Sequence, residues 1–492
     1  MANKVGEFAE QYHRAKMWQI GFFALNNTAT NLYLFIVGFV SYYATGIAGL
    51  SVVIISSILT AMRAFDAVTD PIIGFIIDKT ETKFGKFRPM MIIGNVILAS
   101  TVLIMYNVTH LLPESFQFLF FVFIYAIYIV GYTLQTAVTR AAQTVLTNHP
   151  KQRPLFTIFD ATYNVGIFTG GQIFVASYLM VKHGNEFNMG LFTELNTYAI
   201  IISALFTILA VTAIAPKDRK EYFGLAEKAV KVKFRDYWPV LKSNRPLQML
   251  VIAASTDKLA NLVLRQPVVY VMFFGILLGD YALSGTISLI VIIPTILITF
   301  LGVRYAGKLG LKKALVGATW GGLISAIALS IYLMMIDTAT ISLTNIGITT
   351  IVFLVLYALL KGLTGLSSSI VIPMIADVSD YETYKSGRYV PGMVGTLFSF
   401  VDKMVSSLAP AIVGFLVATI GYTDALPQVG EALTPSLMVM TLVLMFGIPA
   451  VGLAISLIAM KFYNLDGTKM EEIQASIAEV KRSANNDNKQ AV

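Results

Sequence analysis

The stretch RAFDAVTDP, Arg63 to Pro71, carries three charged residues inside a long apolar run. Arg63, Asp66 and Asp70 stand at i, i+3 and i+7, so a helix would place all three on one face. A charge within membrane hydrocarbon costs between about 2.5 and 17 kcal/mol, and chains keep one mainly where it pairs or meets a water-filled path. The pattern therefore predicts part of an ion route across a bilayer.

The composition of the whole chain is that of a membrane protein. Of its 492 residues, 56% are hydrophobic and 13% are charged, and the mean hydropathy is +0.72. The sequence predicts an all-α polytopic protein with about twelve transmembrane helices, located in the cell membrane. The apolar runs cover roughly 17–45, 48–77, 88–108, 115–147, 157–182, 194–215, 247–276, 283–303, 312–336, 345–376, 390–421 and 434–462.

Basic residues alternate between the two ends of these runs. Clusters such as that in 79–88 recur at every second loop, whereas the loops between them carry essentially only Lys182 and His183. By the positive-inside rule, both termini are expected to be cytoplasmic. The net charge of +8 is thus explained by orientation in the membrane, and no nucleic-acid partner is expected. No cleavable signal peptide is evident, and the absence of cysteine excludes disulfides and thiolate chemistry.

A long charged segment divides the chain into two sets of six helices. We predict an N-terminal bundle with the cation site over 1–215, a cytoplasmic linker over 216–246, a C-terminal bundle over 247–462 and a cytoplasmic tail over 463–492. Basic, glycine-bearing loops follow the second and eighth helices, DKTETKFGKFR at 78–88 and AGKLGLKKAL at 306–315. Matching loops indicate a repeated unit, although any short cytoplasmic loop tends to collect Gly and Lys.

Three stretches resemble the glycoside-pentoside-hexuronide:cation symporters, a branch of the major facilitator superfamily that includes the melibiose and glucuronide permeases. They are RAFDAVTDPIIGFIIDKTETKFGKFRP, MIADVSDYETYKSGR and LFSFVDK. The resemblance implies two six-helix bundles of the major facilitator fold. It also implies symport of a small-molecule sugar by alternating access, with H⁺ or Na⁺ as the coupling ion, no other cofactor and no enzymatic activity. A monomer suffices for such a carrier, and the oligomeric state is left open.

The resemblance also nominates the residues of a cation site. The family's coupling carboxylates match Asp66 and Asp70, and its helix-4 threonine matches Thr133. Thr69 is nominated less directly, and the lysine that lies close to the family's site matches Lys403.

The match to the melibiose permease is incomplete at the substrate positions. Thr136 stands where that permease has an aspartate, and Arg140 stands where it has a tryptophan. Its sugar-binding aspartate of helix 1 falls at Thr30 or Asn31. These departures speak against a galactoside as the substrate.

Asp66 and Asp70 lie one helical turn apart and can share one cation. Two carboxylates with a hydroxyl suit Na⁺, whereas repulsion between the empty carboxylates in a low dielectric makes a shared proton equally reasonable. Thr136 in place of a third carboxylate favours the proton. The structural alternative is that Asp66 pairs with Arg63 or Lys403 and locks helices together.

Arg140 is the sharpest indication of the substrate, because a neutral sugar needs no cation and a guanidinium suits a carboxylate. We expect Arg140 to bind an anionic sugar such as a hexuronide. Alternatively, Arg140 reaches the cytoplasmic interface or braces Asp160. Contacts to the sugar hydroxyls are expected from Asn27, Asn31, Gln135, Tyr163 and Asn164. The predicted substrate-binding set also includes Thr30, Thr136 and Lys403. Tyr33 and Tyr163 are expected to stack on the sugar, with packing in the core as the alternative.

Opposite charges at the membrane edge predict a cytoplasmic latch between the halves, although the same residues also serve to orient the chain. The gating set is Arg63, Asp78, Lys86, Arg88, Asp377, Asp380 and Arg388.

Three other classes of protein compete with a symporter. An intramembrane enzyme lacks a histidine cluster, since the four histidines lie at expected helix ends or loops. A channel fits the two-halves organisation less well than alternating access does. A lipid carrier of the same branch stays open on sequence alone.

Overall fold

The chain folds into long helices. A computed structural model describes residues 13–80, 82–147, 152–219, 237–386 and 391–477, and no β-strand occurs within these ranges. Twelve of the helices are long and apolar enough to cross a membrane, which confirms the predicted all-α polytopic fold. The predicted cytoplasmic position of the termini stays a prediction. The spans are α1 Met17–Gly46, α2 Val52–Ile77, α3 Phe87–Leu111, α4 Glu114–Leu146, α5 Leu155–Lys182, α6 Met189–Ile214, α7 Arg245–Leu264, α8 Leu283–Leu309, α9 Leu311–Met335, α10 Ile348–Ser386, α11 Leu397–Thr419 and α12 Pro435–Phe462.

Two spans differ from the bounds that hydropathy predicts. The run over 247–276 is not one helix, because α7 ends at Leu264 and a separate apolar segment, Pro267–Leu277, follows it. Pro267 begins that segment, where its missing N–H leaves no helical hydrogen bond unmade. By contrast, α10 continues ten residues beyond the predicted end at 376 to reach Ser386. No glycine or proline interrupts its charged last turns.

Several helix starts are encoded by local capping. The side chains of Ser51, Asn188, Asn244 and Thr434 each accept a hydrogen bond, 2.9 to 3.3 Å long, from the backbone N–H three residues further on. They stand immediately before the first residues of α2, α6, α7 and α12. Such caps typically contribute about 1 kcal/mol each, so these starts follow from the sequence itself.

The chain divides into two compact units, Met1–Ala229 with Gly414–Glu431, and Val230–Val413 with Ala432–Val492. In the first unit, α1 packs against α4, α5 and α6, and α4 also packs against α2 and α3. In the second unit, α7 packs against α10, α11 and α12, and α10 also packs against α8 and α9. The repeated pattern of neighbours supports duplication of a six-helix element. The linker predicted over 216–246 is described only at 216–219 and 237–246.

Close packing of α3 on α4 fixes the helix that carries Thr133. A Cβ atom added to Gly131 would lie 2.7 Å from Cγ2 of Ile97, and one added to Gly94 would lie 2.9 Å from Cγ of Gln135. Glycine at both positions therefore lets the two backbones approach. The Gln135 side chain then donates a 2.7 Å hydrogen bond to the Met91 carbonyl and is fully buried between the helices.

Candidate cation and substrate site

Three of the four nominated cation residues meet between α2 and α4. The Thr133 hydroxyl donates a 2.8 Å hydrogen bond to Oδ1 of Asp66, and its oxygen lies 2.9 Å from the Thr69 hydroxyl oxygen. The Thr69 hydroxyl also lies 3.0 Å from the Asp66 backbone carbonyl, to which it can donate. Both threonines are buried, whereas Asp66 is half-buried. The arrangement gathers hard oxygen atoms around one carboxylate at membrane depth.

Asp70 and Arg140 belong to the same electrostatic neighbourhood. Asp70 is half-buried one turn beyond Asp66 on α2, and Arg140 is exposed two turns beyond Thr133 on α4. Arg63, Asp66, Asp70 and Arg140 all lie close enough to Tyr132 of α4 to interact with it electrostatically. Two carboxylates and two guanidinium groups of the first unit therefore lie within electrostatic range of one aromatic side chain.

A second polar contact joins α1 to α5. The Asn27 amide donates a 3.4 Å hydrogen bond to Oδ1 of Asp160, and the Asn31 amide donates one of 2.6 Å to the Asn164 carbonyl oxygen. All four side chains are half-buried. The structure thus brings Asn27, Asn31 and Asn164, which sequence predicts as sugar contacts, into one stripe. Tyr163 lies on the same helix, with its ring centroid 5.8 Å from that of Phe159.

Two of the other predicted substrate residues, Thr30 and Tyr33, are less accessible. Thr30 is buried and donates to the Asn26 carbonyl of its own helix, and Thr136 donates likewise to the Thr133 carbonyl. Tyr33 is fully buried, so stacking on a sugar would require its neighbours to move. No ion pair joins Arg140 to Asp160 within the part of the chain that the structure describes.

Asp218 is a structural residue that sequence reasoning missed. Its carboxylate is buried beyond the end of α6 and accepts the backbone N–H groups of Lys86, Phe87 and Arg88 at 2.9 to 3.0 Å. The Arg88 Nε atom adds a 3.4 Å contact. A carboxylate at this position satisfies unpaired donors and suits the positive end of the α3 dipole. The available signal was a single acid among three basic residues in the run KDRK, 217–220.

Gly85 makes room for the Asp218 contact. Its φ of +98° is a conformation that glycine adopts freely, and an added Cβ would lie 2.2 Å from Oδ2 of Asp218. Lys86 and Arg88, nominated as latch residues, therefore contact a carboxylate of their own unit.

Two other residues of the predicted gating set, Asp380 and Asp377, have different surroundings in the second unit. Oδ2 of Asp380 accepts a 2.6 Å hydrogen bond from Gln474, in the same unit. Asp377 is half-buried and, together with Tyr463 and Lys312, lines a cavity of about 250 Å³. Burial, and then the Asp377 carboxylate, raises the pKa of the Tyr463 hydroxyl above its ordinary value, so this group stays protonated at neutral pH.

Three further nominated residues are Asp78, Arg388 and Lys403. Asp78 lies in the last turn of the helix Val52–Lys79, and its side chain is outside the description. Arg388 lies outside the described residues. Lys403 is half-buried in the second unit, directly after Asp402, whose carboxylate pairs with Lys258.

Comparison with known proteins identifies the family. A model of the family described as MFS/sugar transport protein matches residues 19–467. The uncharacterised symporter YnaJ of Bacillus subtilis (strain 168) is 26% identical over 469 residues, which cover 92% of each chain. The glucuronide carrier protein homolog of Escherichia coli (strain K12) is 22% identical over 475 residues, which cover 92% of this chain and 94% of the relative.

A solved structure supports the same fold. The crystal structure of the nucleoside transporter NupG aligns with a TM-score of 0.60 at 11% identity, over 91% of this chain and 99% of that chain. The family match confirms the resemblance that the sequence motifs predict, and it identifies a transporter rather than an enzyme. The chain therefore belongs to the MFS/sugar transport protein family, as a multi-pass membrane transporter of the glycoside-pentoside-hexuronide:cation symporter branch.

Proposed function

We propose that this protein is a secondary active transporter that carries a glycoside, pentoside or hexuronide together with a cation by alternating access. The cluster of Asp66, Thr69 and Thr133 is the observation that carries the proposal. Chains keep a carboxylate at membrane depth mainly where it pairs or meets a water-filled path, and the two hydroxyls beside Asp66 add oxygen ligands that suit an ion. The relatives named symporter and glucuronide carrier protein homolog support the same class of activity.

Coupling follows from charge compensation. With Asp66 and Asp70 both ionised, an empty site disfavours the occluded state, and a bound cation removes that penalty. The sugar then crosses only together with its ion. A potential of about 100 mV adds roughly 2.3 kcal/mol for each charge moved, which corresponds to about fiftyfold accumulation.

We infer that the coupling ion is the proton. Thr136 supplies no third carboxylate, and its hydroxyl donates to the Thr133 carbonyl of its own helix at 3.0 Å. The site therefore offers two carboxylates, those of Asp66 and Asp70. One bound proton neutralises one of their two negative charges. Two adjacent carboxylates commonly share a proton in this way.

Uptake into proteoliposomes tests the transport proposal. An inward H⁺ gradient is expected to drive concentrative uptake from a panel of glycosides, pentosides and uronides, and a protonophore is expected to collapse it. Equal accumulation with a Na⁺ gradient alone would reassign the ion. Chemical turnover of the solute, or single-channel conductance, would contradict a symporter.

The exposed guanidinium of Arg140 supports an anionic sugar, because it shares the neighbourhood of Tyr132 with Asp66 and Asp70. In counterflow, Arg140→Gln is expected to lower exchange of a glucuronide ten- to hundredfold, since a hydrogen bond to a charged group contributes about 1.5–3 kcal/mol. Arg140→Lys should recover part of the loss, because a lysine keeps the charge but not the bidentate geometry.

The matched control is Arg304→Lys, which alters an exposed arginine of α8 and should leave glucuronide exchange unchanged. A wild-type preference for a neutral pentoside that survives Arg140→Lys would refute the anionic-substrate assignment.

A further inference from the structure

A buried carboxylate in the second unit has no role in the site described above. Asp257 stands twelve residues after Arg245, the first residue of α7, which places it about 18 Å along the helix. Its side chain is buried. Oδ2 accepts hydrogen bonds from the Ser367 hydroxyl of α10 at 3.2 Å and the Ser456 hydroxyl of α12 at 3.3 Å. Oδ1 is buried and has no hydrogen-bond partner among the described residues.

No cation balances this carboxylate within the described ranges. The adjacent Lys258 is exposed and pairs with Asp402 of α11, so the two residues following one another on α7 have different partners. Lys361 of α10 lies over the Tyr357 ring, with its Nζ atom 5.3 Å from the ring centroid. Within the described residues, Asp257 also forms no ion pair with Arg265 just after α7, Asp377 on α10, Lys403 on α11 or Lys461 on α12.

Close helix packing keeps the carboxylate enclosed. One turn before Ser456, a Cβ atom added to Gly452 would lie 3.0 Å from both the Thr256 carbonyl oxygen and the Ala260 Cβ atom. The backbone of α12 therefore lies directly on α7 and brings Ser456 to Asp257. Ionising a carboxyl group in such a place costs several kcal/mol when no cation pairs with it, and the neutral acid avoids this penalty.

We propose that Asp257, Ser367 and Ser456 form a proton-binding site in the second unit. While the helices enclose it, the site holds Asp257 as the neutral acid, whose O–H group has serine oxygens within reach. When water enters between α7, α10 and α12, the O–H bond breaks and the proton passes to water, which leaves a carboxylate that accepts both serine hydroxyls. This site uses no residue of the Asp66 cluster and does not rest on the proposed transport function.

Infrared difference spectroscopy on the full-length protein in liposomes tests the proposal directly. The wild type at neutral pH is expected to show a carboxylic-acid C=O band that shifts in D₂O and is lost in Asp257→Asn. Ser456→Ala should keep the band and move its frequency, because the hydrogen bonding of the carboxyl group changes. Asp66→Asn should leave this band intact, which separates the two sites.

Two results would overturn the assignment. One is the same carboxylic-acid spectrum in wild type and in an Asp257→Asn variant that elutes as a folded, monodisperse protein. The other is thermal stabilisation of the wild type by Na⁺ that is absent in Asp257→Asn, which would make the site a sodium site. If Asp257→Asn does not fold, Asp257→Glu provides the same test, since the band must then move in frequency.

Discussion

Asp66→Asn is expected to abolish uphill accumulation of sugar driven by an ion gradient and to preserve part of the sugar exchange at equal concentrations. The asparagine retains an oxygen that can accept the 2.8 Å hydrogen bond from Thr133, so the contact between α2 and α4 persists. The charge that the coupling cation compensates is removed. Sugar can then move without its ion, and the ion gradient no longer performs work on it. Asp70→Asn is expected to act in the same direction.

Radiolabelled uptake and counterflow, measured on the same proteoliposomes, separate these two consequences. Loss of both activities would indicate damage to the fold or the sugar site rather than to coupling. Full uphill accumulation in Asp66→Asn and in the double variant would refute the assignment of these carboxylates to the cation.

Thr133 provides a matched pair of variants for the same site. Thr133→Ser keeps the hydroxyl that donates to Asp66 and should retain coupling. Thr133→Val keeps the shape and removes a hydroxyl that favours the ionised carboxylate, so the apparent affinity for the proton should rise about tenfold, as expected for the loss of one hydrogen bond to a charged acceptor. Equal behaviour of the two variants would show that this hydroxyl is not part of the site.

The cluster of Asp66, Thr69 and Thr133 was partly predictable because its α2 members are close in sequence. Asp66 and Thr69 are separated by three residues, so helical periodicity alone places them together. Thr133 lies 67 residues from Asp66. The prediction that Thr133 lies near Asp66 required the family resemblance, because helical spacing does not say which helices pack together. The glycine pair Gly94 and Gly131, which brings α3 onto α4, has an effect that appears only in three dimensions.

Hydropathy predicted the number of spans better than their ends. The window over 247–276 averages apolar residues on both sides of Pro267 and therefore misses the break after α7. At α10, the charged residues beyond 376 end the apolar run but not the helix, because charged side chains on a helix can extend into water. Asp257, Lys258 and Arg265 are charged residues within an apolar stretch of the sequence, and their spacing alone does not say which of them pair. The structure separates Asp257 from Lys258, whose partner is Asp402.

Asp218 illustrates the limit of reasoning from local pattern, because its partners on α3 lie about 130 residues away. Asp218→Ala is expected to lower the free energy of unfolding of the purified transporter in detergent by an amount on the order of 2–4 kcal/mol, and its unfolding temperature should fall accordingly. The substitution leaves three backbone N–H groups at the start of α3 without their acceptor, and each buried donor left unsatisfied is destabilising by about 1–3 kcal/mol. Part of this effect is recovered when water reaches the half-buried donors of Lys86 and Arg88.

Asp466→Ala is the matched control for this effect. Asp466 also accepts a backbone N–H, from Lys469 at 2.9 Å, but it is exposed, so water can replace it and the loss should stay near 1 kcal/mol. Gly85→Ala should reproduce the Asp218 defect independently, because its Cβ would overlap the carboxylate and its φ of +98° is strained for alanine. Unfolding temperatures of Asp218→Ala and Asp466→Ala that fall equally would show that burial of this carboxylate does not stabilise α3. If the buried contact stabilises the start of α3, Asp218→Ala must lower the unfolding temperature more than Asp466→Ala does. Gly85→Ala must also lower it well below the value for the exposed control.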